Sequence, residues 1–393
     1  MSQRAAGLKA AGQEHLGRLL TVHGASVWPL ALRFPRLAPA KLVLSHGDCR
    51  EVLDRHDTFR VPYLSRMKRV SGPFILGWDP ADTPRYEIER RWLDAAVFRA
   101  DVQRLDERAR ALAEHRVAEG RRRGGLDVVA DLVDPVIDDA IGSWFGVAAQ
   151  PPAPRLDWAR AAFYGVFLNF AAVPVVTARA QAGARALSEH IAAAADGRAP
   201  GDADVLSRLL ASEVPARELD RDAVVRNLVG LITAWVPQVS RVLPLALDAL
   251  FDRERELREA QQAARDGDVT RVGDYVWEAA RFRCTNPLLP RRSAAAHTLP
   301  SGKTVPAGTT VFAMLQAAMM DPDALDDPRR FVAGRPADVY LHFGSGLHRC
   351  FGEHAARAQL AEAATALLAC DGLRRAGRVR WEGPYPVGLK VRF

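Results

Sequence analysis

From about residue 85 to residue 265 the sequence reads as helix almost without interruption, and that run limits the fold more than any other feature. In "RRWLDAAVFRADVQRLDERARALAEHRVAEGRR" and "ARAQAGARALSEHIAAAADG" apolar residues recur every three or four positions, the period of a helix with one buried face. "GGLDVVADLVDPVIDDAIGSWFGV" is a further apolar helical stretch, interrupted by Pro135. Ahead of this block, "LRFPRLAPAKLVLSHGDCREVLDRHDTF" reads as a strand, a turn and then a helix from about Asp48. After residue 286 proline and glycine punctuate short runs, and "NPLLPRRSAAAHTLPSGKTVPAGTTVFA" reads as hairpins. "SGLHRCFGEHAARAQLAEAATALLACDG" returns to helix, and "GLRRAGRVRWEGPYPVGLKVRF" ends in strand-like pairs. The expected fold is mainly α with a smaller β-rich part. No repeat, low-complexity linker or clean boundary divides it, so residues 1–393 are expected to form a single domain.

Apolar residues make up 48% of the chain and charged residues 26%, the balance of a globular protein with a sizeable core. The start, "MSQRAAGLKAAGQEHLGRLL", has no uninterrupted apolar segment of the signal-peptide kind, and no stretch reaches the roughly 18 apolar residues of a membrane span. A cytoplasmic protein without a membrane span is expected. The net charge of +7 comes from arginines scattered over helical text with few aromatics between them. That pattern disfavours nucleic acid and leaves either an ordinary solvated surface or a basic face for an acidic protein partner. Cys49, Cys284, Cys350 and Cys370 lie far apart with no CxxC pair, which argues against a disulfide framework and a four-cysteine zinc site.

One cysteine stands apart. Cys370, inside "TALLACDG", reads as a packing residue. Cys350 lies in "HFGSGLHRCFGEH", with Gly344, Gly346 and Gly352 around it and His348 and Arg349 before it. Glycines permit unusual dihedrals and the close approach of something large. A phosphate loop would need a lysine that is missing here. A helix start and nearby cations stabilise a thiolate, whether as nucleophile or as metal ligand. Phe343, Gly344, Gly346, His348, Cys350 and Gly352 fit the pattern F-G-x-G-x-H-x-C-x-G at every position. This resembles the haem-thiolate loop of the cytochrome P450 family, and of its bacterial soluble members in particular. The resemblance implies haem b between a long distal helix and the cysteine loop. Cys350 would be the axial iron ligand, pushing electron density toward the metal. Phe343 would pack near the sulfur, Gly344 and Gly352 would shape the loop, and His348 would reach a propionate.

The resemblance runs from roughly residue 30 to the C-terminus. In "DYVWEAARFRCTNPLLPRRS", Glu278 and Arg281 share a helix face and resemble the family's E-x-x-R pair, a buried structural network near the haem. Arg292, 14 residues before Pro306, matches a propionate-binding arginine, with Arg291 as the competing choice. "AAMMDPDALDDPRRFVAGRP" resembles the family's meander, with Met319 and Met320 replacing its asparagine and arginine. Arg330 would be the third member of the network. The bacterial pattern P-x-H-x-x-x-R has no histidine in "DPADTPRYEIERRWLDAAVF", where Arg90, Arg91 and Trp92 are the candidate propionate contacts.

The departure lies in the distal helix, read as "RDAVVRNLVGLITAWVPQVSRVLPLALDALF", residues 221–251. The family usually carries A-G-x-D/E-T there, an acid–threonine pair that relays protons for dioxygen activation. Aligned on Asn227, Thr233-Ala234-Trp235-Val236-Pro237 fills that window. Val236 and Pro237 relay no proton, and a proline inside a helix should kink or open it. Either Gln238, Ser240, Thr233 or the substrate's own hydroxyl supplies protons through water, or the oxidant is a peroxide that needs no relay, or the reaction is a lyase, isomerase or coupling one. "FYGVFLNFAAVPVVTARA" falls where the family roofs its active site. Trp235, Val236 and Pro237, with the segment from Asn286 through Leu288 to Leu289, and "GPYPVG" would line an apolar cavity.

Three functions follow from the resemblance. The first is a monooxygenase-like oxidoreductase acting on a lipid, terpenoid or polyketide-like molecule of secondary metabolism. It would take electrons from a ferredoxin-type donor at a basic surface with Arg349 and Arg357. The second is a peroxygenase, isomerase or lyase that uses or rearranges peroxides and needs no redox partner. The third is a catalytically degenerate haem-binding partner protein. A thiol hydrolase is disfavoured, since no oriented Cys–His–Asp/Asn arrangement can be read.

Overall fold

The computed structural model describes residues 40–78, 84–148, 154–170, 172–196, 198, 204–212, 220–382 and 385–393. The chain begins with strand β1 (Ala40–Val43) and helix α1 (His46–Asp54). That helix starts ahead of the expected Asp48 because Ser45 caps it, its hydroxyl accepting the Asp48 N–H at 3.3 Å. β2 (Phe59–Arg60), α2 (Leu64–Val70), α3 (Arg85–Ala96), α4 (Asp101–Arg122) and β3 (Gly125–Asp127) follow. Pro135 marks a boundary as expected: it lies in the first turn of α5 (Asp134–Ser143), just after a wide turn over Val128–Val133.

α6 (Arg155–Phe163), α7 (Pro174–Asp196), α8 (Val205–Leu210), α9 (Arg221–Phe251), α10 (Glu254–Arg265) and α11 (Val269–Phe282) complete the helical block. The β-rich part holds β4 (Leu289–Ser293), β5 (His297–Thr298), β6 (Thr304–Val305), β7 (Thr310–Ala313) and the short α12 (Leu315–Ala318). The last helix, α13 (Glu353–Leu368), leads to β8 (Arg374–Arg375), β9 (Arg380–Glu382), β10 (Tyr385–Gly388) and β11 (Lys390–Arg392).

The largest sheet has the order β1-β7-β4-β2, with β1 parallel to β7 and the other pairs antiparallel. β3-β11-β8 form a second sheet, while β9-β10 and β5-β6 are hairpins. So the chain is mainly α with small sheets at its margins, as the periodicity implied.

α9 runs through the centre. Asp220 caps it by accepting the Ala223 N–H at 2.8 Å. The helix is unbroken through Pro237 and Pro244, so the expected opening at Pro237 does not occur. Packing supplies the reason. Val236, Val239, Leu243, Leu245 and Leu247 are all buried, and that burial outweighs a proline cost of about 3 kcal/mol. Among the described residues this helix alone is long and apolar enough to cross a membrane, and 83% of its most apolar window is buried inside the protein. In the middle of α9 only Leu231, Ala234 and Gln238 keep appreciable exposed surface, a stripe at helical spacing.

Candidate active site

The loop before α13 is fixed from several sides. The Cys350 N–H donates to Phe343 O at 2.8 Å, and the Gly344 N–H donates to Leu341 O at 3.0 Å. Gly344 and Gly346 have φ of +71° and +69°, values that side-chain-bearing residues rarely adopt. A Cβ on Gly346 would also lie 2.8 Å from Asp54 Cα, so the loop sits hard against α1. The Ser345 hydroxyl donates to Asp54 Oδ1 at 2.5 Å, and the Tyr86 hydroxyl of α3 donates to Leu347 O at 2.8 Å. A Cβ on Gly352 would come within 3.1 Å of the Trp235 ring of α9. Gly352 therefore sets the spacing between the loop and the central helix.

Cys350 lies deep in the fold and still keeps accessible surface. The two agree because the residue lines a cavity of about 370 Å³, together with Arg90, Phe98, Trp144, Arg349 and Glu353. Burial pushes the thiol up to about 11, with the neighbouring Gly352 N–H, Arg349 and Arg90 acting in the opposite direction. By itself the thiol is protonated at neutral pH, and a bound cation is what would displace its proton. The Phe343 ring does not stand free beside the sulfur. It packs against Trp277, with centroids 5.0 Å apart, and under the Arg357 guanidinium at 4.8 Å.

His348 is the second focus. Its Nδ1 is buried without a hydrogen-bond partner. Burial, with the charges of Arg291, His56 and Arg90, drives its pKa down to about 3. The Tyr86 ring meets it edge-on at 5.1 Å. The neighbourhood thus has excess positive charge and an unused polar atom, the electrostatic signature of an anion site.

Arg291 belongs to this neighbourhood and Arg292 does not. Side chains alternate along β4, so Arg291 is buried while Arg292 is exposed, reaching only Thr310 Oγ1 at 3.5 Å. Arg91 is likewise exposed, while Arg90 stacks over Phe351 at 4.9 Å and donates to Asp94 at 3.0 Å. Trp92 is core. Sequence reasoning missed Tyr86, although the spacing was there: Pro84, Tyr86 and Arg90 fill P-x-H-x-x-x-R with tyrosine in the histidine's place.

The Glu278–Arg281 pair is the buried network expected, bidentate at 2.7 and 3.0 Å with both side chains fully buried. Burial pushes the Glu278 carboxyl up. Hydrogen bonds and charge from Arg281, with the Val332 N–H and the Tyr340 hydroxyl, outweigh that and hold it below the usual range. The third arginine is Arg335, whose Nε lies 3.3 Å from Glu278 Oε1, and not Arg330. Arg330 is exposed and contributes its main-chain carbonyl, which accepts from Arg281 and Arg335 at 3.2 and 3.0 Å. Met319 and Met320 serve where the family's polar pair would stand: Arg281 Nη1 donates to Met319 O at 2.9 Å and meets Met320 Sδ at 3.1 Å.

On α9 the expected residues separate. Gln238 lies on the accessible stripe, its amide paired reciprocally with Asn286 at 2.8 and 3.1 Å. That pairing brings the half-buried Leu288 and Leu289 segment to the helix. Thr233 is fully buried and its hydroxyl oxygen has no partner. Trp235 faces Trp144 at 5.7 Å and Phe145 at 6.1 Å, behind the cysteine loop rather than beside Leu288. Val236 belongs to the same core, and Pro237 is also buried. Positions 235–237 lie off the partly exposed stripe of the helix. The "FYGVFLNF" segment packs with Tyr63, Met67, Phe74 and Tyr385 as a separate apolar cluster over the helix.

These features fit a thiolate-bound haem. The sulfur opens onto a cavity, glycines keep side chains out of the loop, and an unpartnered His348 Nδ1 stands among arginines that suit the propionates.

Known proteins agree. The family model for Cytochrome P450 matches residues 269–369, which span α11 to α13 and contain both the Glu278 network and the cysteine loop. The chain is 29% identical over 293 residues to cyclomarin C epoxidase CymV of Salinispora arenicola, covering 73% of this chain and 71% of that one. It is 26% identical to the erythromycin C-12 hydroxylase of Saccharopolyspora erythraea, covering 80% and 78%. A solved structure of a mutant of P450 EryK in complex with erythromycin B superposes with a TM-score of 0.78 at 24% identity, over 95% of this chain and 97% of that one. CalO2 superposes with 0.80 at 20% identity, over 95% and 96%. The chain is thus similar in sequence to cytochromes P450, haem-dependent oxidoreductases, and shares their fold, with the family model matching its cysteine-loop region.

Proposed function

We propose that this enzyme uses haem b to oxidise a largely apolar small molecule of secondary metabolism, and does so without an acid–threonine proton relay. The observation that carries the reading is Cys350: a sulfur opening onto a cavity, in a glycine-shaped loop fixed against α1 and α9. Haem with a thiolate ligand supplies oxygen-activating redox chemistry. The chain's own residues bind and orient. Cys350 would hold the iron, while Tyr86, Arg90, Arg291 and His348 would hold the propionates in place of Arg91 and Arg292. Phe98, Val102 and Trp144 give the cavity beside the sulfur an apolar side. Cyclomarin C epoxidase and erythromycin C-12 hydroxylase are, by their names, enzymes of complex natural products, which supports a substrate of that class. For electron supply, the exposed Arg91, Arg99, Arg349 and His354 form a basic rim near the loop that suits an acidic ferredoxin. Arg357 lies off that rim, folded over the Phe343 ring, and Glu353 binds both it and Arg349, at 3.0 and 2.8 Å.

A peroxide-dependent reaction is the second reading, favoured by the distal helix. Val236 and Pro237 carry no exchangeable side-chain proton, Thr233 is sealed in the core, and the Gln238 amide is engaged by Asn286. Without a positioned acid, a relay contribution of about 10²–10⁴-fold is missing.

The test has two parts. The reduced, CO-bound protein is expected to absorb as a thiolate-ligated haem, and Cys350→Ala to abolish that spectrum. Unchanged absorption after Cys350→Ala would overturn the assignment. Turnover of a substrate with hydrogen peroxide alone is then compared with turnover under ferredoxin, reductase and NADPH; activity confined to one condition selects the reading.

A further inference from the structure

Two thioether sulfurs stand side by side after α12, and the fold treats them differently. Met319 is fully buried, and its Sδ accepts the Leu341 N–H at 3.3 Å. Met320 is only half-buried, and its Sδ lies 3.1 Å from Arg281 Nη1. Among the described residues the other methionines, Met67 and Met314, are also buried. Met320 is therefore the methionine of this region that an oxidant in solution can reach. Cysteines compete little for such an oxidant: Cys49, Cys284 and Cys370 are buried, and Cys350 belongs to the site already described. A thioether also needs no deprotonation to react, unlike a thiol, whose reactive form is the thiolate.

What the reachable sulfur touches gives it a consequence. Arg281 Nη1 donates to Met319 O at 2.9 Å and to Pro328 O at 2.7 Å, so Met320 closes one side of a fully packed guanidinium. The other nitrogens of Arg281 hold Glu278, which also accepts from the Tyr340 hydroxyl at 2.9 Å. The chain then runs directly into the cysteine loop: Leu341 O accepts the Gly344 N–H, and Phe343 O accepts the Cys350 N–H. A disturbance at Met320 is thus one guanidinium and one carboxylate away from the segment that fixes the loop.

We propose that Met320 is an oxidation site for hydrogen peroxide, and that its sulfoxide loosens the Glu278 network behind the cysteine loop. A sulfur lone pair attacks one peroxide oxygen. The S–O bond forms as the O–O bond breaks, and the departing oxygen takes the proton of the transferred one and leaves as water. Methionine loses two electrons and peroxide gains them. The product fits the native contact badly on either face of the sulfur. An oxygen added toward Arg281 has no room, since only 3.1 Å separates Sδ from Nη1. An oxygen added on the outer face leaves the sulfur as the positive end of the S–O dipole, turned toward a cation that cannot shed its charge. The weak acceptor becomes a repulsive neighbour, and methionine sulfoxide reductases can reverse the change. This inference needs no haem and goes beyond the proposed reaction.

The experiment treats the purified haem-containing protein with hydrogen peroxide, stops the reaction with catalase, and follows peptide masses and melting temperature over time. The sulfoxide is expected on Met320 well before it appears on Met67, Met314 or Met319. The melting temperature of the wild type should fall in step with that modification, by roughly 2–5 °C, the worth of a disturbed contact to a charged group in a protein of this size. Met320→Leu, which keeps the volume and removes the sulfur, should lose less than about a third of that. Any damage peroxide does to haem is common to both proteins, so the difference between them reports Met320 alone. Treating the oxidised wild type with methionine sulfoxide reductases of both stereospecificities should restore its melting temperature. Oxidation of the buried methionines as early as Met320, an equal fall in Met320→Leu, no fall in the oxidised wild type, or no recovery after reduction would each overturn the proposal. None of these readouts uses the CO spectrum, so the haem assignment and this inference can fail independently.

Discussion

Two buried charges, Glu278 and Arg241, show how differently one interior can treat an ion. Glu278 is fully buried and saturated: Arg281 grips it bidentately, Arg335 and Tyr340 reach it, and the Val332 N–H donates to it at 3.0 Å. Arg241 is almost as buried, yet it meets only an aromatic face. An ion that the fold neutralises belongs to the architecture, since removing it strands its partners. An ion that the fold leaves unsatisfied imposes a desolvation cost that the native state carries without return. A buried charge by itself therefore says little; its partners, or their absence, decide whether it holds the fold or burdens it.

That contrast can be broken by measurement. The largest expected effect is Glu278→Ala, which leaves Arg281 and Arg335 uncompensated and should cost about 3–5 kcal/mol in denaturant unfolding. A loss under 1 kcal/mol would mean that the network is not structural.

Next comes pH. His342 lies within the same region, its Nε2–H donating to Trp277 O at 3.0 Å, and burial lowers its pKa to about 4, assisted by Arg357 and Arg281 against Glu278. Below about 6.5 the unfolded chain takes a proton on this histidine that the folded chain refuses. Stability is thus full above pH 6.5 and falls as pH drops toward 4, by on the order of 2–3 kcal/mol. The Glu278 carboxyl, also lowered, adds loss of the same sign below its unfolded pKa. Melting temperatures from pH 7 to 4 should therefore decline, and His342→Gln should flatten the upper part of that decline.

Arg335→Ala removes one of the Glu278 partners and should cost about 1–3 kcal/mol, whereas Arg330→Ala should change stability by less than about 0.5 kcal/mol. Reversed values would restore Arg330 to the network. The smallest effect is expected at the other ion: Arg241→Met replaces an unpaired cation with an apolar chain and should leave stability unchanged or raise it by about 1 kcal/mol. A clear loss at this position would erase the distinction between the two charges.

Much of the site was legible beforehand, and the failures have a common cause. The cysteine loop and the Glu278–Arg281 pair were readable because they depend on spacing within one short segment: three residues along a helix, or a run of glycines around a thiol. The misplacements concern direction. Arg292 and Arg291 are neighbours in sequence, and only the pleat of β4 decided which one turned inward. Arg330 matched a pattern, yet the turn after it sent its side chain outward and brought in Arg335. Trp235, Val236 and Pro237 were counted toward the cavity, but the rotation of α9 buried them and left Leu231, Ala234 and Gln238 as its partly exposed stripe.

By itself, the order of residues determined the helical block, the marginal sheets, the thiol in its glycine loop and the absence of exchangeable side-chain protons at Val236 and Pro237. These are local properties, set by periodicity and by the chemistry of single side chains. Tertiary structure alone decided that Tyr86 and Arg291 meet His348, that α9 passes two prolines unbroken, and that Arg241 ends up without a counter-charge. Which groups share a low-dielectric space depends on how distant segments rotate and pack against each other. A charge acquires its energetic meaning only from what that packing places around it.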